Sequence, residues 1–286
     1  MSSLLAEARL RFHNTLRGNG VLTLNAHGVA SNADKDSALS VILARGILDR
    51  LGSSSVSPRL AGQTSGNQFE LICESFLKET FTSLEHLRPG SWLVHCVGGR
   101  NRAEIARYEQ YAHIAVLDQM ARENQALRVA LGSDYLISPD LIIARQTESD
   151  ERLNAPFALV DETVAQYASL RYTANARPIL HASISCKWTI RSDRAQNARS
   201  EALNLVRNRK GHLPHIVVVI GEPLPSRIAS LALGTGDIDC VYHVALPELI
   251  ASVEAGDYQD AKELLEIMVS GKRLKDIADL PLDLAV

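Results

Sequence analysis

The chain has 286 residues, of which 46% are hydrophobic and 5% aromatic, and a formal net charge of -3. This size supports a substantial core in a single domain spanning 1–286, and the excess of aliphatic over aromatic residues favours an α/β or α+β protein. The slightly acidic balance excludes a histone-like protein that coats DNA through charge alone, but allows an enzyme with a localised basic groove.

The four cysteines are far apart and show no CxxC spacing, which predicts buried reduced thiols and neither a zinc site nor a disulfide framework. The longest uninterrupted apolar run, 216–220, is too short to cross a bilayer. We therefore expect a soluble, cytoplasmic protein with no membrane partner.

Apolar periodicity, glycines and prolines predict the order of helices and strands. The predicted elements are helices at 2–17 and 34–52, a loop at 53–66, a helix at 67–87, a strand at 91–97, a helix at 102–127, a strand at 141–144, a strand at 179–188, a helix at 193–208, a strand at 215–220, a helix at 224–233, a strand at 241–245 and a helix at 258–270. Asp34 is expected at a helix start and Glu70 in the first turn of the helix at 67–87.

A carboxylate and a lysine stand at the ends of two predicted strands. Asp140 follows Pro139 and precedes an aliphatic strand, although Pro-Asp pairs are also common at ordinary turns. On the strand at 179–188, alternation places Ser185 and Lys187 on one face and Cys186 on the other. A lysine that only reaches solvent from a strand end is the alternative.

The segment from Lys187 to Lys210 is strongly basic, with seven Lys or Arg residues against two acidic ones. A solvated helix face would explain such a run, and Asp193 with Gln196 resembles a helix capping box. Arg191 and Arg194, however, lie near a helix N-terminus, where the helix dipole disfavours cations. We expect a phosphate or the acceptor-rich edge of guanine to face these two arginines.

Simple geometry connects the strand to the following helix. Four extended residues after Lys187 cover about 13 Å, and the helix from Asp193 to Glu201 rises about 12 Å. If the helix folds back along the strand, Glu201 returns to the level of Lys187. Asp140, Lys187 and Glu201 would then meet at one metal site.

This arrangement resembles the PD-(D/E)xK restriction nucleases, specifically the branch that reads CCGG-type DNA sites. The resemblance covers the full chain and is carried by Pro139-Asp140, Ser185-Cys186-Lys187, Arg191-Ser192-Asp193-Arg194 and Glu201. Ser185 stands where the common pattern has an acidic residue, and in this branch the helix supplies the missing carboxylate as Glu201.

The resemblance implies a central mixed β-sheet flanked by helices and a restriction-endonuclease-like core. It also implies a Mg²⁺-dependent enzyme of a restriction-modification system, with Asp140 and Glu201 as metal ligands. Lys187 would orient or deprotonate the attacking water, Ser185 belongs to the same catalytic group, and Glu70 would be an additional acidic residue.

The same resemblance implies how double-stranded DNA is read. Arg191 and Arg194 would each pair with a guanine and Asp193 with two cytosines, so that a twofold dimer reads CCGG. It further implies the site GCCGGC, a cut after the first G, and a homotetramer (a dimer of dimers) that engages two sites. Arg227 and Asp34 are candidates for the outer G·C pair and Gln63 for the minor groove; ordinary surface roles are equally compatible with these three residues.

Three other interpretations stay open from the sequence. A nucleotide-dependent enzyme is suggested by Gly98-Gly99 with Arg100 and Arg102, but no GxGxxG or GxxxxGK[ST] motif is present. A non-catalytic DNA-binding regulator would leave Asp140, Lys187 and Glu201 unexplained. A repair nuclease of the same fold would give products that depend on DNA structure and not on its sequence.

Overall fold

The computed structural model describes residues 2–52, 62–98, 104–131, 137–190, 192–234 and 236–286, except for the side chains of 192–194. Within these residues, six strands form one sheet: β1 (Trp92–Cys96), β2 (Leu141–Arg145), β3 (Ile179–Lys187), β4 (His215–Ile220), β5 (Cys240–His243) and β6 (Leu274–Asp276). The order in the sheet is the order in the chain. Strand β2 runs antiparallel to both of its neighbours, β1 and β3, whereas β3 to β6 are parallel to one another.

The described helices are α1 (Leu4–Gly18), α2 (Ala38–Arg50), α3 (Gly62–Thr80), α4 (His113–Glu123), α5 (Gln125–Leu131), α6 (Asp150–Leu153), α7 (Ser192–Asn208), α8 (Pro225–Ala232), α9 (Leu246–Glu254), α10 (Gln259–Ser270) and α11 (Leu280–Asp283). Consecutive residues of β2 and of β4 are buried, so both faces of the sheet are covered. The predicted α/β architecture, a mixed sheet flanked by helices, is confirmed.

The sheet register explains why a carboxylate and a lysine meet. Because β2 is antiparallel to β3, Leu141 at the start of β2 pairs with Ile184 near the end of β3. Asp140, just before β2, therefore lies beside Ser185 and Cys186. The parallel crossover from β3 to β4 passes through α7, which returns along the sheet and carries Glu201 back towards the same edge.

Helix starts differ from the sequence predictions. Ser37 caps α2 by accepting the Ser40 N–H, so Asp34 lies in the turn before the helix and not at its start. Helix α3 begins at Gly62, so 62–66 is helical where a loop was expected, and Glu70 lies inside the helix and not in its first turn. Residues 53–61 of that predicted loop are outside the described part of the chain.

The helix predicted at 102–127 is confirmed only from His113 onward, where α4 and the start of α5 lie. Its described part contains two 3₁₀ turns, Glu104–Arg107 and Glu109–Tyr111, before α4 and α5. Gln110 donates from Nε2 to the Leu180 carbonyl at 2.7 Å and accepts the Leu180 N–H at 2.9 Å, so this segment is fixed to the edge of β3. These tertiary hydrogen bonds outweigh local helix propensity. Gly99, Arg100 and Arg102, which suggested a nucleotide site, are outside the described residues.

The four cysteines are free, three of them buried and Cys96 partly buried, as predicted. None of the described helices combines the length and apolar character needed to cross a membrane.

Candidate active site

One oxygen of Asp140 collects three hydrogen bonds from the end of β3. Asp140 Oδ2 accepts from Lys187 Nζ at 2.7 Å, from the Cys186 backbone N–H at 2.8 Å and from Ser185 Oγ at 3.3 Å. Burial alone would lower the pKa of Lys187, but the charge and hydrogen bond of Asp140 outweigh it and raise that pKa above its ordinary value. Lys187 is therefore an ammonium ion held in a fixed position.

Strand alternation separates the two faces of β3 as the sequence predicted. Ser185 and Lys187 both reach Asp140, whereas the Cys186 side chain is buried beside Cys73 of α3. The hydrogen bond with Cys73, together with burial, raises the pKa of the Cys186 thiol. This sulfur stays protonated and is therefore unsuited to binding a cation.

Lys187 lines a pocket of about 410 Å³ together with Glu70 of α3 and Glu201 of α7. The other lining residues are Gly62, Gln63, Ser65, Gly66, Asn67, Cys186, Trp188, Thr189 and Asn197. Asp140 interacts electrostatically with both glutamates. The structure thus brings together Asp140, Lys187, Glu201, Ser185 and Glu70, five residues taken from four separate segments of the sequence.

Both glutamates carry raised pKa values. Burial, with the charge of Asp140 adding to it, raises the pKa of Glu70 to about 7. Burial likewise raises the pKa of Glu201 to about 7, since the favourable charge of Lys187 only partly offsets it. Among the described residues, three carboxyl groups thus share one ammonium group, and this part of the pocket is short of positive charge.

This donor set fits Mg²⁺, which prefers oxygen ligands and retains bound water. Asp140 Oδ1 receives no hydrogen bond from the described residues, because the three donors all use Oδ2. Across the described ranges, no three His, Cys, Asp or Glu side chains form a closed metal-binding cluster. A cation held by Asp140 and Glu201 would therefore complete its shell with water or substrate oxygens.

Asp34 and Arg227, the two candidates for the outer G·C pair, are in direct contact. Arg227 Nη2 donates to Asp34 Oδ2, and the two side chains stay 31% and 27% exposed. Both line a small cleft together with Thr189, which also lines the larger pocket. The paired Asp34 and Arg227 thus adjoin the site of Lys187.

Of the remaining residues predicted to read DNA, the structure describes the side chain of Gln63 and only the backbone of Asp193 and Arg194. Gln63 lies in the first turn of α3, not in a loop, and lines the pocket of Lys187. Helix α7 begins at Ser192, one residue before the predicted start, so Asp193 lies within its first turn. Arg191 and the side chains of Asp193 and Arg194 are outside the described residues, and their contacts stay predictions.

The sequence analysis missed a buried carboxylate near this site. Glu222, completely buried after β4, accepts the Ile190 N–H at 2.9 Å and the Leu224 N–H at 3.2 Å. Little in the sequence marks it: Glu222 is separated from the aliphatic run 216–220 by Gly221, and its partner, the Ile190 N–H, lies 32 positions away.

Comparisons with known proteins identify the family of this chain. The family model for the NgoMIV restriction enzyme matches residues 12–286. The type II restriction enzyme NgoMIV of Neisseria gonorrhoeae is 59% identical over 286 residues, covering 100% of both chains. A solved complex of restriction endonuclease PspGI with substrate DNA matches at 15% identity and a TM-score of 0.28, covering 85% of this chain and 90% of that one, a likeness too low to carry an argument. The full-length identity and the family match together show that the chain belongs to the NgoMIV restriction enzyme family.

Proposed function

We propose that this restriction enzyme uses Mg²⁺ to hydrolyse double-stranded DNA at the palindrome GCCGGC, cutting after the first G and leaving 5′-CCGG overhangs. Type II restriction, the site-specific cleavage of DNA, follows from membership of the family. The observation that carries the catalytic part is the meeting of Asp140, Lys187, Glu201 and Glu70 around one pocket.

Lys187 is best suited to stabilise negative charge at the scissile phosphate. Its ammonium group is fixed by Asp140 and points into the pocket, where it can orient the attacking water or stabilise charge on the phosphate. A raised pKa makes this lysine a poor general base, which favours orienting water over deprotonating it. Ser185 adds a second donor that keeps the Asp140 carboxylate in place.

Asp140 and Glu201 would hold Mg²⁺, with Glu70 as a further acidic group of the same pocket. When bound, the ion supplies the positive charge that hydrolysis of a phosphodiester needs in its transition state. The excess of carboxyl groups over ammonium groups supports this assignment, because a dication beside Glu70 and Glu201 favours their ionised forms.

The contact between Asp34 and Arg227 supports reading of the outer G·C pair. Arginine pairs with guanine O6 and N7, and a carboxylate accepts from cytosine N4. Two such side chains held side by side can reach both bases of one pair. Arg191, Asp193 and Arg194 would read the inner CCGG from the start of α7, and Gln63 would reach the minor groove.

We also propose that the enzyme assembles as a homotetramer, a dimer of dimers, which holds two DNA sites at once. Each chain forms a single domain over 1–286, which is supported by one hydrophobic cluster that runs from Ala8 in α1 to Leu284 after α11. Location in the cytoplasm, where the substrate DNA is found, stays a prediction.

The test is cleavage of three plasmids that differ only in having no, one or two GCCGGC sites. We expect Mg²⁺-dependent cuts only at those sites, with sequenced ends that show 5′-CCGG overhangs, and no cleavage with excess chelator. The two-site plasmid should be cut faster, since its second site binds intramolecularly to the same tetramer. Equal rates on one and two sites would contradict the tetramer, and cuts independent of GCCGGC would contradict the specificity.

A further inference from the structure

The end of β4 forms a junction between the catalytic strand and both predicted DNA-reading segments. Gly221, the first residue after β4, donates its N–H to the Lys187 carbonyl at 3.1 Å and accepts from Asn32 Nδ2 at 2.7 Å. A Cβ atom at Gly221 would lie 2.5 Å from the Trp188 ring, so only glycine allows this approach. The backbone that carries Glu222 is therefore locked against the end of β3.

Glu222 extends the junction to Ile190, which lies two residues before the start of α7. Its Oε2 accepts the Ile190 N–H at 2.9 Å, and Arg227 Nη1 donates to the Ile190 carbonyl at 3.3 Å. Both backbone polar groups of Ile190 are thereby fixed, directly before Arg191 in the chain. The backbone of Ile190, the last described residue before α7, is thus set by Glu222 and Arg227.

Glu222 also holds Arg227, which together with Asp34 is proposed to read the outer G·C pair. Arg227 Nη1 lies 3.8 Å from Glu222 Oε2, while Nη2 donates to Asp34. Glu222 is completely buried, whereas Arg227 is 31% exposed, so the carboxylate can hold the guanidinium but cannot reach DNA itself. A fully buried carboxylate costs free energy unless its partners are in place, which restrains the whole junction.

We propose that Glu222 is a positioning residue for sequence discrimination. It holds the Ile190 backbone and the Arg227 guanidinium in fixed relative positions, so that the segments proposed to read the inner and outer base pairs stay aligned with each other. This inference rests on the proposed function. It assigns no contact with DNA or with the reacting phosphate to Glu222; its effect passes through the two segments that it joins.

The test compares cleavage of GCCGGC with cleavage of the outer-pair variant ACCGGT and the inner-pair variant GTCGAC by the full-length enzyme with Mg²⁺. In Glu222→Gln, which keeps the size but removes the charge, we expect the kcat/KM ratio between GCCGGC and each variant to fall about tenfold or more. The maximal single-turnover rate on GCCGGC should stay within about threefold of the unsubstituted enzyme, because the catalytic groups are untouched.

Two further variants separate positioning from general stability. Glu148→Gln makes the same change at another buried carboxylate, which pairs with Arg152 at 2.9 Å and follows β2 at the end opposite to Asp140. It should lower the melting temperature without changing discrimination. Glu222→Asp keeps the charge but shortens the side chain, and should lose less discrimination than Glu222→Gln; if Glu222→Gln does not fold, Glu222→Asp decides the question.

Discrimination equal to that of the unsubstituted enzyme in the Glu222 variants would overturn the inference, as would an equal loss in Glu148→Gln. If the unsubstituted enzyme itself does not prefer GCCGGC, the proposed function fails first, and this result is distinguishable because it appears before any Glu222 variant is measured.

Discussion

At the scale of single residues, Asp140 links two strands of the active site, because its Oδ2 accepts hydrogen bonds from two side chains of β3. Ser185 and Lys187 could be assigned to one face because strand alternation is strict, and both reach Asp140. The contact between Asp34 and Arg227 was not predictable, since these residues are 193 positions apart and no local pattern links them. Glu222 was missed for the same reason, because its value depends on the distant Ile190 N–H.

Removal of the Lys187 ammonium group tests the proposed role of this lysine in DNA cleavage. In Lys187→Ala we expect kcat to fall by about 10²- to 10⁴-fold while specific binding of GCCGGC is retained, because the lysine acts on the scissile phosphate and not on the bases. Single-turnover cleavage and a gel-shift titration measure the two quantities separately.

Lys78→Ala is the matched control, since Lys78 is 55% exposed and pairs only with Glu74 on its own helix among the described contacts. It should cleave normally. Normal turnover in Lys187→Ala would remove this lysine from the catalytic assignment.

At the scale of elements, strongly periodic segments were predicted well and segments fixed by tertiary hydrogen bonds were not. The 3₁₀ turns at 104–111 follow from the attachment of Gln110 to Leu180, which no propensity scale contains. Helix α9 was missed although its start carries a recognisable signal, Pro247 at the first turn. Strand β6 has three residues, too few for alternation to be seen.

Helix α7 has an anchor that makes its position testable. Arg199, two residues before Glu201, donates to the carbonyls of Ser230, Leu231 and Leu233 at the end of α8 and pairs with Asp237 at 2.6 Å. These carbonyls have no partner within the helix, so a cation there is favourable. The guanidinium thereby ties the helix of the active site to α8.

Arg199→Met should lower the free energy of unfolding by about 2 kcal/mol, because charged hydrogen bonds are lost while the aliphatic stem is kept. Urea titration monitored by tryptophan fluorescence measures this change. Arg207→Met, an exposed position on the same helix, serves as the control and should change stability little. Equal effects of the two substitutions would show that Arg199 does not anchor α7.

At the scale of the whole molecule, buried histidines and buried glutamates respond to pH in opposite directions. Burial lowers the pKa of His243 and of His181 to about 4. At these two rings the unfolded chain therefore binds more protons than the folded one below about pH 6.5, and both histidines destabilise the fold as pH falls from there towards 4. Glu70 and Glu201, with pKa values of about 7, take up protons in the folded state first and oppose this loss.

A variant at His243 isolates one of these effects. His243 Nδ1 accepts the Ala245 N–H at 3.0 Å, so the ring is neutral with its proton on Nε2, which donates to the Glu222 carbonyl at 3.1 Å. Protonation would place a second N–H against that of Ala245. The difference in unfolding free energy between the unsubstituted protein and His243→Gln should therefore shrink by about 2 kcal/mol between pH 7.5 and pH 5.

Urea titrations of both proteins at a series of pH values measure that difference, and all other titrations cancel in it. His86→Gln is the control, because it makes the same substitution at an exposed position and should change the free energy of unfolding little at pH 7.5. If the difference in unfolding free energy for His243→Gln stayed constant across the same range, the protonation of this ring would not be coupled to folding. A loss of stability at low pH would then arise at other groups, of which His181 is the first to test.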